Sequence, residues 1–348
     1  MRQMRKLRQQ LLHMKNNFFV NRAASIVVRI YKYKERGVFL RSNKSSSVEY
    51  KRRRLGYRML VPATSVILLV SVYPLLYGIY LSFRNQNFLK VNQNDFVGLT
   101  NYIKLLTDSN FYNAIGYTLY YTFAVVAFAY ILGMVIALLL NRQVFGRGIL
   151  RALVLIPWVI PSTVAANNWR WLLDTQVGFI NTTLVGLGVI DKPIAFLASP
   201  NWVKNIMVVF GVWKAFPFMA LTLLSGLQGI SSDYYEAAKI DGANRLQMFR
   251  SITLPMLKPV TFVTLTLMCI WTLNNFENIY LFTEGGPLRH TTTISIFTYK
   301  TAFFSSDISY ACASGVSMMV LMAVFGIVYM NFMNADDEKP KKKRGVRK

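Results

Sequence analysis

The chain has 348 residues, 53% of them hydrophobic and 14% aromatic, and a formal charge of +25 at neutral pH. That apolar fraction, with a mean hydropathy of +0.33, excludes an ordinary soluble domain and points to membrane-spanning helices. The two cysteines, Cys269 and Cys312, lie inside apolar runs, which excludes a disulfide scaffold and leaves neither with the spacing of a metal site.

The excess charge sits at the two ends. Residues 1–58 hold 17 Lys/Arg against Glu35 and Glu49, and residues 335–348 hold seven against Asp336, Asp337 and Glu338. Basic arms thus flank a hydrophobic body, as topogenic cytoplasmic charge does, instead of forming the folded basic face of a nucleic-acid binder. The N-terminal arm carries only short apolar patches, Phe18-Phe19-Val20 and Ile26-Val27-Val28. None is long enough to span, and no apolar core follows the basic start as a signal peptide requires. This arm is expected to be partly disordered or to lie as a basic helix on anionic lipid. Lys51-Arg52-Arg53-Arg54 and Arg58 directly precede the first span and should hold that end inside.

Six apolar runs follow: Leu60–Phe83, Ala114–Leu140, Ile149–Leu173, Ile206–Leu227, Pro259–Phe276 and Ala311–Met333. At about 1.5 Å per residue, roughly 20 residues cross a hydrocarbon core of about 30 Å. The runs do not alternate, so they read as helices, which alone among open elements satisfy their own backbone in lipid. The fifth run is short, and its helix is expected to continue through Asn274, Asn275 and Glu277 if these face a cavity. The short second connection carries Arg142, Arg147 and Arg151 and is expected inside. Connections 84–113, 174–205 and 277–310 are near neutral and expected outside, which leaves both termini inside.

Between the fourth and fifth runs lies a polar stretch, Glu236-Ala237-Ala238-Lys239-Ile240-Asp241-Gly242-Ala243, continuing through Phe249, Ile252, Leu254-Pro255 and Pro259. It reads as two short helices with a break. Asp233 is placed to cap the first, with Glu236 as its capping-box partner. Small Ala237 and Ala238 let a partner approach the backbone closely. Gly242 ends the helix in left-handed geometry, Asn244 with Gln247 caps the second, and Pro255 and Pro259 are expected to halt it.

The pattern EAA-x-x-DGA followed by F, I-x-LP and P resembles the cytoplasmic coupling loop of permease subunits in ATP-binding-cassette (ABC) importers of the maltose and glycerol-3-phosphate type. Other stretches are similar to the same family: Gly98-Leu99-Thr100-Asn101-Tyr102, Leu155–Pro161 with Trp169-Arg170-Trp171, Trp213–Phe218, and Leu281–Pro287. The last resembles the maltose-F-like half of a heterodimeric sugar importer. The resemblance covers about residues 60–333 and leaves out the basic arm. It implies an all-α integral membrane protein of the type I importer permease fold, with six transmembrane helices. It implies a cytoplasmic arm over 1–58, a permease domain over 59–333 containing the coupling loop 228–258, and a basic tail over 334–348.

As the resemblance implies, the protein would be a non-enzymatic permease in the cell membrane that moves a carbohydrate. Its partners would be a second, homologous permease, two ABC ATPase subunits and an extracellular or periplasmic substrate-binding protein. Glu236, Ala237, Ala238, Asp241, Gly242 and Ala243 would couple to the ATPase. Matched residue by residue to the maltose-type permease, the substrate-pathway positions fall at Gly211, Lys214, Ala215, Phe218, Thr272, Asn275 and Glu277.

The residues themselves are consistent with a non-catalytic subunit. No G-x-x-x-x-G-K-[ST] loop occurs, so the chain does not bind ATP through a P-loop, and no cofactor is expected. His13 and His290 are the only histidines and have no acid–base partner close in sequence. Lys214, Asn274, Asn275 and Glu277 fall at membrane depth, where a lipid-facing Lys costs about 2.5–3.5 kcal/mol. They are expected to line a cavity, or else to bond neighbouring helices. Pro217 removes a backbone bond in the fourth run. A secondary transporter or channel is the alternative class, and it requires coupling carboxylates in the spans. Glu277 is the only candidate.

Overall fold

The computed structural model describes residues 50, 52–87, 89–142 and 146–337. The expectations for the basic arm up to Glu49 and for the tail from Glu338 lie outside the described residues. The chain divides into two compact units, 1–76 and 77–348. In the first, the described residues belong to the helix α1 (Arg52–Ser82), inside which the unit boundary falls. A π-turn covers Leu68–Val72, and Leu60, Leu69 and Leu76 on this helix are exposed. Residues 52–58, expected to belong to the arm, are the start of that helix.

The second unit contains, after the end of α1, a two-stranded antiparallel hairpin, β1 (Arg84–Asn87) and β2 (Lys90–Phe96), pairing Arg84 with Phe96. Its strands are polar and lack apolar alternation, so nothing in the sequence marked them. The helix α2 (Thr100–Thr107) follows. The hairpin and α2 are fastened to the start of the last helix, α12 (Ile308–Asp337). Gln86 N–H donates to Ser309 Oγ at 2.8 Å, and the Tyr310 hydroxyl donates to the Asp108 carboxylate at 2.8 Å. Lys104 Nζ sits 3.6 Å from Asp307 and 4.2 Å above the Tyr310 ring.

The core of the unit is the packing of α3 (Ser109–Leu140) on α7 (Pro200–Gln228). Tyr121, Val125, Ala129, Gly133 and Ala137 recur every fourth residue on the buried face of α3. Gly133 makes the closest approach: a Cβ there would lie 2.6 Å from Met219 Cβ and 3.0 Å from the Ala220 backbone nitrogen. Small residues bring membrane helices together in this way, because dispersion rather than water expulsion drives their association.

The third apolar run is not one straight helix. It forms α4 (Arg147–Val159) and α5 (Ser162–Leu172), bent by 91° at Ile160–Pro161. Pro161 biases Ile160 away from helical geometry, and Ile160 is extended at φ −60°, ψ 130°. Pro157, four residues earlier, stays inside α4. The unit continues through α6 (Phe179–Gly186), α8 (Ser232–Ile240), α9 (Arg245–Leu273), α10 (Glu277–Thr283) and α11 (Ile294–Phe303). Among the described residues, five helices are long and apolar enough to cross a membrane, and the bent pair makes up to six.

Two expectations for the fifth span are corrected. Pro255 and Pro259 do not halt a helix, since α9 runs through both. A π-turn over Phe249–Thr253 precedes Leu254, so Pro255 falls in a first turn, where its missing N–H costs little. Nor does the helix continue through Asn274 and Asn275. It ends at Leu273 with Asn274 as its cap, and α10 starts at Glu277.

Candidate functional site

A cavity of about 250 Å³ opens between α3, the α4–α5 bend, α7 and the end of α9. Gly211, Lys214, Ala215 and Phe218, spaced at three and four residues, occupy one face of α7 and line it. Thr272 and Asn275 line it from the other stretch of chain. Glu277, the seventh predicted pathway residue, is exposed and is not part of the wall. No ion pair joins it to Lys214 among the described residues. The neighbouring Asn278 takes a place in the wall instead.

Residues that sequence reasoning missed complete the cavity: Tyr121, Val125, Trp158, Ser162, Met268 and Trp271, with Asn278. Three aromatic rings form one run of it, Trp158 lying 6.2 Å from Phe218 and Phe218 5.0 Å from Trp271. Tyr121 is fully buried, and among the described residues neither its hydroxyl nor Asn278 Oδ1 has a hydrogen-bond partner. Buried polar atoms are seldom left so; these two present unused hydrogen-bonding capacity at the cavity wall. Gly211 lies against Tyr121, where a Cβ would come within 2.6 Å of the hydroxyl oxygen. The only sequence signal touching this set was the resemblance of Leu155–Pro161, which contains Trp158, to the same family.

Lys214 Nζ donates to the Ile160 carbonyl at 2.7 Å. No acidic side chain lines the cavity among the described residues. A larger space of about 450 Å³ lies at the Arg170 end, between α5, residues 173–175 and 197–198, and the Phe282–Pro287 segment. Arg170 Nε donates to the Phe282 carbonyl at 2.7 Å there. The backbone N–H groups of Val177 and Gln176 hold the Asp174 carboxyl below its ordinary value. None of the predicted substrate-pathway residues lines that space.

The polar stretch between the fourth and fifth runs folds as a capped helix, a left-handed turn and a second capped start. Ser231, not Asp233, is the first cap, accepting from Asp233 N–H at 3.3 Å, so Glu236 has no capping-box role. Asp233 lies in the first turn, where its charge complements the helix dipole. Gly242 has φ +80°, and Ala243 N–H reaches back to the Ala238 carbonyl at 2.9 Å, the bond pattern of a glycine-ended helix. Asn244 and Gln247 form the expected capping box, with reciprocal bonds of 2.7 and 2.9 Å.

Glu236, Ala237, Asp241 and Gly242 are exposed, while Ala238 and Ala243 are half-buried. Around them Tyr234, Ile240 and Leu246 are more than half exposed, Ile240 at 87%. The knob is tied to the fifth span by the Tyr235 and Thr253 hydroxyls, 3.0 Å apart.

Residues 129–339 match the family described as "Binding-protein-dependent transport system inner membrane component". The trehalose/maltose transport system permease protein MalF of Thermococcus litoralis is 38% identical over 289 residues, covering 83% of this chain and 97% of that protein. The sulfoquinovosyl glycerol transport system permease protein SmoG of Agrobacterium fabrum is 33% identical, covering 82% and 92%. The fold is similar to a chain in the crystal structure of a bacterial ABC transporter involved in the import of the acidic polysaccharide alginate. The TM-score is 0.71 at 26% identity, covering 83% of this chain and 98% of that one. With the bent third span, the cavity and the glycine-ended knob, these matches show that the chain belongs to the family of binding-protein-dependent transport system inner membrane components.

Proposed function

We propose that this membrane subunit forms half of a carbohydrate translocation path in an ABC importer and takes its power through the 228–258 knob. One observation carries the reading. Six of the seven positions matched to a sugar permease, drawn from two distant stretches of chain, converge on one cavity. Its three aromatic rings offer faces for the apolar sides of sugar rings, and Tyr121, Asn275 and Asn278 offer groups for hydroxyls. The named relatives support a sugar or oligosaccharide. A solved relative in complex with a saccharide-bound periplasmic protein supports a binding-protein partner. A second permease and two ATPases complete the proposed assembly.

The direct test is uptake of a labelled carbohydrate panel by a strain deleted for this chain, with and without the ATPase partner. Uptake restored by the chain only when the ATPase is present supports the reading, and uptake that persists without the ATPase overturns it. Within the cavity, Asn275→Ala is expected to raise KM about tenfold, the loss of one or two hydrogen bonds. Glu277→Gln, outside the wall, is expected to leave KM within about twofold. An unaltered KM in Asn275→Ala removes that side chain from the path.

The proposed topology puts both termini and residues 228–258 inside, with 277–310 outside. Ile240 and Leu288 are 87% and 83% exposed, so a cysteine at either is open to reagent. In a variant lacking Cys269 and Cys312, an impermeant thiol reagent on intact cells is expected to label Leu288→Cys and not Ile240→Cys. The opposite result inverts the topology.

A further inference from the structure

We propose that Lys214 is a positioning residue, a pin that holds the bend of the third span against the cavity. Pro161 creates the need for it. The bend turns the Ile160 carbonyl out of α4, and no backbone N–H donates to that oxygen among the described residues. Within a span, lipid offers no donor in its place. The Lys214 ammonium reaches across from α7 and donates to it at 2.7 Å.

The consequence for the cavity follows from the neighbours of Ile160. Trp158 and Ser162, two residues to either side, both belong to the cavity wall, as Lys214 itself does. Fixing the Ile160 carbonyl therefore fixes where those two side chains stand relative to Gly211 and Phe218 on α7. It also accounts for a charged residue at this depth that makes no ion pair among the described residues. An ammonium has three donors, and one meets a backbone acceptor that a side chain without a donor cannot satisfy. Lys214 thus acts on the substrate path through the bend.

The test reads the bend itself, in the full importer complex reconstituted in lipid with Cys269 and Cys312 replaced and no substrate present. Spin labels are placed at Leu150 and Trp171, both exposed. Each arm from a label to the break is about 15 Å at about 1.5 Å rise per residue. A bend of 91° sets their backbones about 21 Å apart, against about 31 Å for a straight helix. In Lys214→Met, the distance is expected to lengthen by several ångströms and broaden; in Lys214→Arg, which keeps a donor, it is expected to stay as in the parent. If the Met variant does not assemble, Lys214→Gln, a shorter donor, is expected to show a smaller lengthening.

An unchanged distance in the Met variant overturns the proposal. If uptake falls while the distance holds, Lys214 contacts the substrate directly. Equal lengthening in the Met and Arg variants overturns it as well, because the donor is then not what matters. The inference rests on the carbohydrate reading only in taking the cavity as the path. A failed uptake panel with a lengthened Met variant leaves the pin standing.

Discussion

Placing an aspartate at Gly242 or Ala238 is expected to leave the permease in the membrane at normal level while abolishing retention of the ATPase and transport. The knob lies on the polar excursion between two spans, so damage to it does not touch the packing of α3 on α7. Gly242 sits at φ +80°, and a Cβ there meets nothing within 4 Å. The substitution therefore fits sterically, and its cost within the chain is limited to left-handed strain of about 1–2 kcal/mol. The larger effect is on the contact. Beside Ile240 and Leu246, exposed apolar groups that a partner would cover, a new carboxylate is buried without a counter-charge. Losing one partner of a buried charge typically costs several kcal/mol. At Ala238, half-buried in the knob itself, the charge also crowds a site where only a methyl group stands. Co-purification of the ATPase with the permease, together with substrate-stimulated ATP hydrolysis, measures both consequences. Full retention and full stimulation in both variants would mean that the knob is not the docking site.

Replacing Gly133 with leucine is expected to abolish the folded permease, whereas the same change at Gly116 on the same helix is expected to be tolerated. A Cβ at Gly133 would meet Met219 Cβ at 2.6 Å, the Ala220 nitrogen at 3.0 Å and the Met219 carbonyl carbon at 3.2 Å. Two of those three atoms are backbone and cannot rotate away, so α3 and α7 must separate. Overpacking of well-packed sites costs about 1–3 kcal/mol and occasionally more; here separation also parts Tyr121 from Gly211, opposite walls of the cavity. At Gly116 nothing lies within 4 Å, and the residue is exposed. Yield of monodisperse protein in mild detergent and its thermal aggregation midpoint separate the two variants. Equal yields would mean that the α3–α7 approach is looser than the structure shows.

The local chemistry of the chain was legible without a structure. Long apolar runs become helices because a backbone in lipid has no other partner, and each run but the third follows a single helix, the fifth only as far as Leu273. The knob was readable for the same kind of reason. Gly242 reaches left-handed geometry, and Asn244 with Gln247 closes a capping box, through atoms a few residues apart. Where several residues competed for one local role, the sequence was less decisive. Ser231 took the cap assigned to Asp233. Of the two prolines in the third run, Pro161 broke the helix and Pro157 did not.

What tertiary structure alone decided is which side chains of each span look inward. The spans are apolar on nearly every face, so no periodic signal separates the face toward the cavity from the others. Gly211, Lys214, Ala215 and Phe218, which the resemblance named, stand on one wall because their spacing is that of one helical face. Glu277 stands off that wall, because the helix ends at Leu273 and the turn at 274–276 presents Asn278 instead. Tyr121, Trp158 and Trp271 join the cavity from three different helices, and Lys214 finds the Ile160 carbonyl 54 residues away. Those meetings depend on how close α3 can come to α7 and on the angle at Pro161. Both are set by contacts between helices, which no single stretch of sequence contains.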